Sequence, residues 1–294
     1  MHDVGPPPVT THEPCYDHVP ASSFSAEELA DIYNHTRVDY IVPMPMNAKR
    51  MQSYIRTYDI NLDDSPVIFD SQGQVAGLGM LGLRGDRAWI TRLGVIPERR
   101  GRNMGQFLMR LMIDAAQHYY PRLIQLEVIQ GNIPAHSLFV KMGFRDVRDL
   151  LVIRRPPAPL PDTPPTPGSV IRQMDREEVY ACLSERTGSA SWVTENASLV
   201  KLTNLQGIKV RLPNGYTGWL VYQFTPFEIT HVVTKTPPLA RDEVMRNLLY
   251  ALHRTHPEQD TKIENLPLHE LSWPIYQQMG YIEMFRRTEM ELLF

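Results

Sequence analysis

Two cysteines in 294 residues, Cys15 and Cys182, are too few and too far apart for a disulfide framework or a zinc site, and the chain reads as one kept reduced. Long apolar runs are missing as well. Nothing is long enough for a membrane span, and the N-terminal MHDVGPPPVTTHEPCYDHVP lacks the apolar core of a signal peptide, so a cytoplasmic location without a membrane partner is expected. Neither sign of charge is in excess. Thirty Lys and Arg against 33 Asp and Glu leave a net charge of −3, which gives no reason to expect nucleic acid. What is present is 43% apolar and 21% charged residues, the composition of a soluble globular protein, on a chain long enough for two domains of ordinary size.

Proline marks the boundary between them. RRPPAPLPDTPPTPGS, residues 154 to 169, continues neither a helix nor a central strand, and such a segment is extended and semi-rigid. The expected organisation is a proline-rich tail over 1–21, a first domain over 22–155, a linker over 156–168 and a second domain over 169–294. In the first domain Ser25 and Glu28 stand in capping-box spacing ahead of a helix over Ala26 to Asn34. A less regular helical stretch spans Asn47 to Tyr58, and Met44, Met46 and Met51 with Tyr54 give the segment before the first strand pair flexible side chains. Strands follow at Pro66 to Asp70, Gln74 to Leu83 and Ala88 to Val95, with a turn at Ser71-Gln72-Gly73 between the first two.

The most informative stretch is V-I-P-E-R-R-G-R-N-M-G, Val95 to Gly105, which leads at once into the helical run QFLMRLMIDAAQHYY. The first-turn N–H groups of a helix lack partners inside it, and the helix dipole puts about half a positive charge there. Arg99, Arg100 and Arg102 add positive charge, and Gly101 and Gly105 let the backbone approach a ligand. A phosphate-bearing ligand meets those needs; a solvated basic turn is the alternative. After the helix, LIQLEVIQGNIPAHSLFVKMGF gives a strand over Leu123 to Ile129, a turn at Gly131-Asn132, a helix from Pro134 to Met142 and a Gly-Phe exit into a strand over Arg145 to Ile153.

These two blocks, in this order, resemble the GCN5-related N-acetyltransferase (GNAT) superfamily. Its pyrophosphate loop [RQ]-x-x-G-x-[GA] maps onto Arg100, Gly101, Arg102, Asn103, Met104 and Gly105, with Asn103 where glycine is usual. Asn is the non-glycine residue most tolerant of a left-handed backbone. The second block keeps Glu127, Asn132, Ala135, Gly143 and Phe144 in place, and it departs at Phe139, where the family commonly has a tyrosine that protonates the departing thiolate.

The C-terminal half repeats the plan. At an offset of about 137 residues, Glu264 to Gly280 falls on Glu127 to Gly143, which puts His269 on Asn132, Tyr276 on Phe139 and Tyr281 on Phe144. The helix VMRNLLYALHR falls on FLMRLMIDAAQ, and Asn214-Gly215 matches Gln72-Gly73. Where the first copy has its loop, the second reads TKTPPLARDEV, without glycine and with two prolines that remove N–H donors, so no coenzyme is expected there. Tyr276 then reads as a packing residue. The fold class is α/β, mixed α+β: two tandem GNAT-like domains, each a mixed, mostly antiparallel twisted sheet flanked by helices, similar to the mycothiol-synthase-like arrangement.

The resemblance implies acetyl-CoA as cofactor and acetyl transfer by direct attack of a primary amine from a small molecule or peptide. It implies that Leu93 and Val95 lend backbone groups to the pantetheine and thioester, with the Val95 N–H donating to the carbonyl oxygen, that Asn132 hydrogen-bonds the pantetheine arm or holds the helix that flanks it, and that Phe139 is among the residues that bind the coenzyme. Asn132 is equally placed to cap the helix at Pro134. Trp89 and Thr91 accept no proton at neutral pH, which leaves Glu127 as the best base; a structural carboxylate paired to an arginine is the alternative. His136 reads as a surface or packing residue, and Trp192, Trp219, Tyr222 and Trp273 as core or as a cleft wall. A monomer or weak homodimer is expected. Two other readings stay open: a coenzyme-A-binding sensor without turnover, and a non-catalytic scaffold.

Overall fold

The computed structural model describes residues 16–161 and 165–294; Cys15 lies outside them, as do residues 162–164 of the proline-rich segment. Two compact units emerge. One holds the described residues up to Met51 with Asn61–Leu81 and Ile90–Tyr120, and the other holds Gln52–Ile60, Gly82–Trp89 and the described residues from Pro121 to Phe294. Among the described residues no helix is long and apolar enough to cross a membrane.

In the first unit, helix α1 (Ala26–His35) begins with the capping box that the Ser25 and Glu28 spacing predicts: the Ser25 hydroxyl accepts from Glu28 N–H at 3.2 Å, and the Glu28 carboxylate accepts from Ser25 N–H at 2.7 Å. Helix α2 (Ala48–Thr57) falls within the expected Asn47 to Tyr58 stretch. Met44 and Met46 therefore precede it instead of lying on it. Pro45 disfavours a helical Met44, and the Asn34 amide holds both Met46 N–H and C=O, at 2.9 and 2.8 Å.

Strand β1 (His18–Pro20) pairs antiparallel with β3 (Pro66–Phe69), which pairs antiparallel with β4 (Val75–Arg84); the two-residue β2 is Ile60–Asn61. The turn before β4 holds Gly73 at φ 72°, and the Asp70 carboxylate accepts from Gln72 and Gln74 N–H at 2.9 Å each. Strand β5 is Arg87–Val95 and helix α3 is Met104–Gln117. Met104 and Leu108 of α3 pack with Ile68 and Ala76 to form a small core, against which Leu93, Val95 and Tyr16 are half-buried.

The second unit contains β6 (Leu123–Ile129), α4 (Ile133–Lys141), β7 (Arg145–Arg155), β8 (Val170–Gln173), α5 (Arg176–Ser184), α6 (Asn196–Leu199), β9 (Leu205–Arg211), β10 (Thr217–Phe224), β11 (Glu228–Lys235), α7 (Arg241–Thr255), β12 (Asp260–Pro267), α8 (Trp273–Gln278) and β13 (Ile282–Leu293). Its strands run β6-β13-β7-β12-β11-β10-β9-β8. The last strand is thus inserted between two strands of the first repeat, antiparallel to both, while β7 also pairs with β12. Strands of the two repeats interleave. That placement explains why Leu150–Ile153 are all fully buried, a continuous apolar run characteristic of a strand covered on both faces. Leu151 and Ile153 pack in the larger core with Leu248, Leu249, Leu252, Tyr276 and Tyr281.

Candidate active site

The turn between β5 and α3 is built within the first unit. Pro97–Arg99 forms a 3-10 turn, Gly101 has φ 79° with open space where a Cβ would be, and Asn103 takes the left-handed conformation at φ 62°, ψ 9°. Phe107 N–H bonds Asn103 C=O at 2.9 Å to close the first turn of α3, and no acidic residue stands in that turn. Backbone N–H groups and the positive end of the dipole are therefore presented together, with Met104 buried and Gly105 half-buried.

The arginines divide their work. Arg100 makes a bidentate pair with Asp39 (2.6 and 2.8 Å), donates to Thr36 C=O at 3.1 Å and, through Nε, to Val95 C=O at 3.0 Å, while Arg99 pairs with Asp70 at 2.7 Å. Both hold the turn to its scaffold. Arg102 is exposed. The Arg100 guanidinium also holds the Asp39 carboxyl below its ordinary range.

Close packing fixes the end of β5. A Cβ on Gly77 would lie 2.4 Å from Gly94 C=O, and one on Gly94 would lie 2.4 Å from the buried Thr36 hydroxyl, so only glycine lets the backbones approach. Ile96 N–H bonds Ala76 C=O at 2.8 Å. Upstream, Arg92 stands at φ 54°, a left-handed residue inside a strand, and such a distortion bends the strand and re-aims Leu93 to Val95 beyond it.

The second unit holds Glu127, half-buried on β6. Its Oε2 accepts from the Trp89 indole N–H at 2.7 Å and its Oε1 from the Asn265 side-chain amide at 3.3 Å. Trp89 is fixed in turn: it stacks on the fully buried Trp192 at 5.7 Å and meets Tyr54 and Tyr58 at 6.1 and 5.8 Å. Across the β6–β13 ladder Glu127 lies opposite Glu289, whose carboxylate is bound by Arg148 at 2.5 Å. Burial pushes the Glu127 carboxyl up to about 7, with Glu289 and Glu264 adding to the rise and Arg287 and the Trp89 bond opposing it. The expected alternative, a carboxylate paired directly to an arginine, is not what the side chain does: its two bonded partners are an indole and an amide.

Asn132 caps α4, its side-chain oxygen accepting from Ala135 N–H at 3.3 Å. Phe139 is buried against Phe144, ring centroids 6.3 Å apart, and has no proton to give. His136 bonds the exposed Asp146 at 2.9 Å and is occupied there. Trp89 and Asn265 are not legible in the sequence as partners of Glu127, nor Arg287 as the cation behind Asn265, because contacts between strands far apart in the chain, and no local spacing, bring them there.

Residues 29–144 match the model of the Acetyltransferase (GNAT) family. This segment is a GNAT-family domain. A putative [ribosomal protein bS18]-alanine N-acetyltransferase from Bacillus subtilis (strain 168) is 30% identical over 79 residues, which cover 27% of this chain and 52% of that protein; the match spans about half of that relative's length. Among solved structures, a GCN5-related N-acetyltransferase from Sphaerobacter thermophilus is similar at a TM-score of 0.73 and 14% identity, covering 95% of each chain. A tandem GNAT protein from the clavulanic acid biosynthesis pathway is similar at 0.69 and 15%, covering 95% of this chain and 98% of that one. Those two likenesses concern the fold.

Local geometry of the first repeat recurs in the C-terminal repeat. Phe144 N–H bonds Phe139 C=O and Tyr281 N–H bonds Tyr276 C=O, both at 3.0 Å, around Gly143 at φ 94° and Gly280 at φ 87°. Tyr276 is buried against Tyr281, centroids 5.1 Å apart, and burial raises its hydroxyl above the ordinary range. A Cβ on Gly218 would meet Lys235 C=O at 2.8 Å, as one on Gly77 meets Gly94 C=O. The difference lies in the turn. Four residues, Arg100 to Asn103, separate the 3-10 turn Pro97–Arg99 from α3, whereas Pro238–Ala240 runs directly into α7 at Arg241. Asp242 and Glu243 also occupy the first turn of α7, so its dipole is already answered by carboxylates.

Proposed function

We propose that the protein is an acetyl-CoA-dependent N-acetyltransferase that acylates a primary amine of a small molecule or peptide by direct attack, with Glu127 as the base. The observation that carries this reading is the state of Glu127: a carboxyl raised to about 7, with a one-way donor on each oxygen, in a GNAT-family domain. The fit for the coenzyme rests on the turn. Gly101, Asn103 and the first-turn N–H groups of Met104 and Gly105 suit a pyrophosphate, with Arg102 as added charge and Arg100 bracing the loop. Leu93 and Asn132 are assigned to the pantetheine arm, which Phe139 lines.

Acetyl-CoA, when bound, supplies the thioester whose acyl carbon forms the new C–N bond as its C–S bond breaks. The Val95 N–H donates to the carbonyl oxygen as negative charge builds there. Glu127 takes the proton that the amine nitrogen loses, directly or through one water. Phe139 provides no acid, and none is strictly needed: a thiol of pKa about 8.5 leaves as a thiolate near neutral pH at little cost. Phe139 is also the observation that favours a second reading, a coenzyme-binding protein without turnover.

The test is release of free thiol from acetyl-CoA in the presence of a panel of small amines and peptides with free N-termini. Turnover with an amine, reduced about 10²- to 10⁴-fold in Glu127→Gln, is expected. Unchanged turnover in that variant would remove Glu127 from the mechanism, and coenzyme binding without turnover across the panel would favour the second reading.

A further inference from the structure

Asn265 belongs to the C-terminal repeat, yet its side chain ends on the carboxylate assigned above as the base. It stands at φ 58° inside β12, at a bulge: Ile263 faces Ile153 and Leu266 faces Leu151, so β12 carries one residue more than β7 over that interval. A left-handed non-glycine residue in a strand is strained, Asn least so, and a bulge re-aims the side chain it carries. Asn265 is also buried, at 4% exposure, so its amide must be satisfied within the protein.

The direction of that amide is fixed by chemistry. Arg287 Nη1 lies 2.7 Å from Oδ1, and a guanidinium only donates; the other end of the amide, its NH₂, therefore faces Glu127 Oε1. Arg287 is itself anchored on Glu264 at 2.9 Å, and Lys262 holds the other Glu264 oxygen at 2.8 Å. The Trp89 N–H, also a donor only, takes Glu127 Oε2. Both oxygens of Glu127 thus receive donors that cannot reverse.

We propose that Asn265 is a positioning residue for Glu127, relaying the Arg287 guanidinium to Oε1 so that the C-terminal repeat, without a coenzyme loop of its own, stabilises the proton-accepting carboxylate of the first. Its importance for turnover rests on the reading of Glu127 as base; the relay itself does not. The charged groups facing Glu127 are Arg287 and Glu289 from β13 and Glu264 from β12, with Trp89 from β5 as the uncharged partner. Removing the relay takes away a donor to the anion and leaves Glu289 and Glu264 opposing it.

The test is direct titration of Glu127 in the full chain by ¹³C NMR of labelled glutamate carboxyl carbons, assigned by the resonance lost in Glu127→Gln. Asn265→Gly keeps the left-handed backbone at no steric cost and deletes the amide, so it is the variant expected to fold. Asn265→Asp keeps the shape and places a second carboxylate toward Oε1. The Glu127 midpoint is expected to rise by about one pH unit in the glycine variant, the size of one hydrogen bond to a charged group, and further in the aspartate variant. Once an amine substrate is identified, the acid limb of kcat/KM moves with it. A midpoint unchanged or lowered in both folded variants overturns the proposal, whatever the activity of the wild type; an unshifted midpoint in an active enzyme leaves Glu127 as base and Asn265 as structure only.

Discussion

Glu127 is costly to keep where it is. It faces Glu289 across an antiparallel ladder, and burial favours its protonated form, so the carboxylate that a base requires exists only as pH rises through about 7. Two predictions belong to this residue. The kcat/KM of acetyl transfer falls about tenfold per pH unit below 7, and Glu127→Gln removes that limb along with the activity; a pH–rate profile of both forms checks it. Stability depends on the same proton. Because the folded value lies above the ordinary 4.5, the contribution of this group is fully present below that ordinary value and is lost as pH rises through about 7. Thermal unfolding should therefore find Glu127→Gln more stable relative to wild type at pH 8 than at pH 5, and an equal difference at both pH values would contradict the assignment.

At the scale of elements, the end of β5 is held by contacts that tolerate no added atom. Gly77→Ala drives a methyl into Gly94 C=O, and since backbone cannot rotate away, the strand end carrying Leu93 and Val95 must shift. The expected result is a loss of about 1–3 kcal/mol in chemical denaturation and weaker acetyl-CoA binding, whereas Gly85→Ala, which meets no atom and strains only its own turn at φ 53°, leaves coenzyme binding as it is. Much at this scale is legible in the sequence. The capping box of Ser25 and Glu28, the Gly73 turn, the Asn132 cap and the Gly143 and Gly280 exits are local, fixed by neighbours within a few residues. The salt bridges that bind Arg99 and Arg100 to Asp70 and Asp39 are not, because loop charges carry no spacing that names a distant partner.

Over the whole molecule, the repeat is visible in the sequence as an offset, but the interleaving of its strands is not. Nothing in Arg-Arg-Thr-Glu-Met-Glu, the run from Arg286 to Glu291, distinguishes a strand that closes its own sheet from one inserted between β6 and β7. The insertion is what brings Arg287 and Glu289 to Glu127, and it leaves β7, a strand of the first repeat, paired on both edges with strands of the second. Leu151→Ala should accordingly cost about 2–5 kcal/mol in denaturant unfolding, because Leu151, a residue of the first repeat, packs in the core of the second. The two repeats part company at the coenzyme: the first is assigned a site, and the second lacks the four residues that separate the first repeat's 3-10 turn from its helix. Calorimetric titration with acetyl-CoA decides between one site and two, comparing wild type with Gly105→Trp, which fills the first turn of α3. One site per chain, absent from the variant, is predicted; two sites, or a site that survives Gly105→Trp, would contradict it.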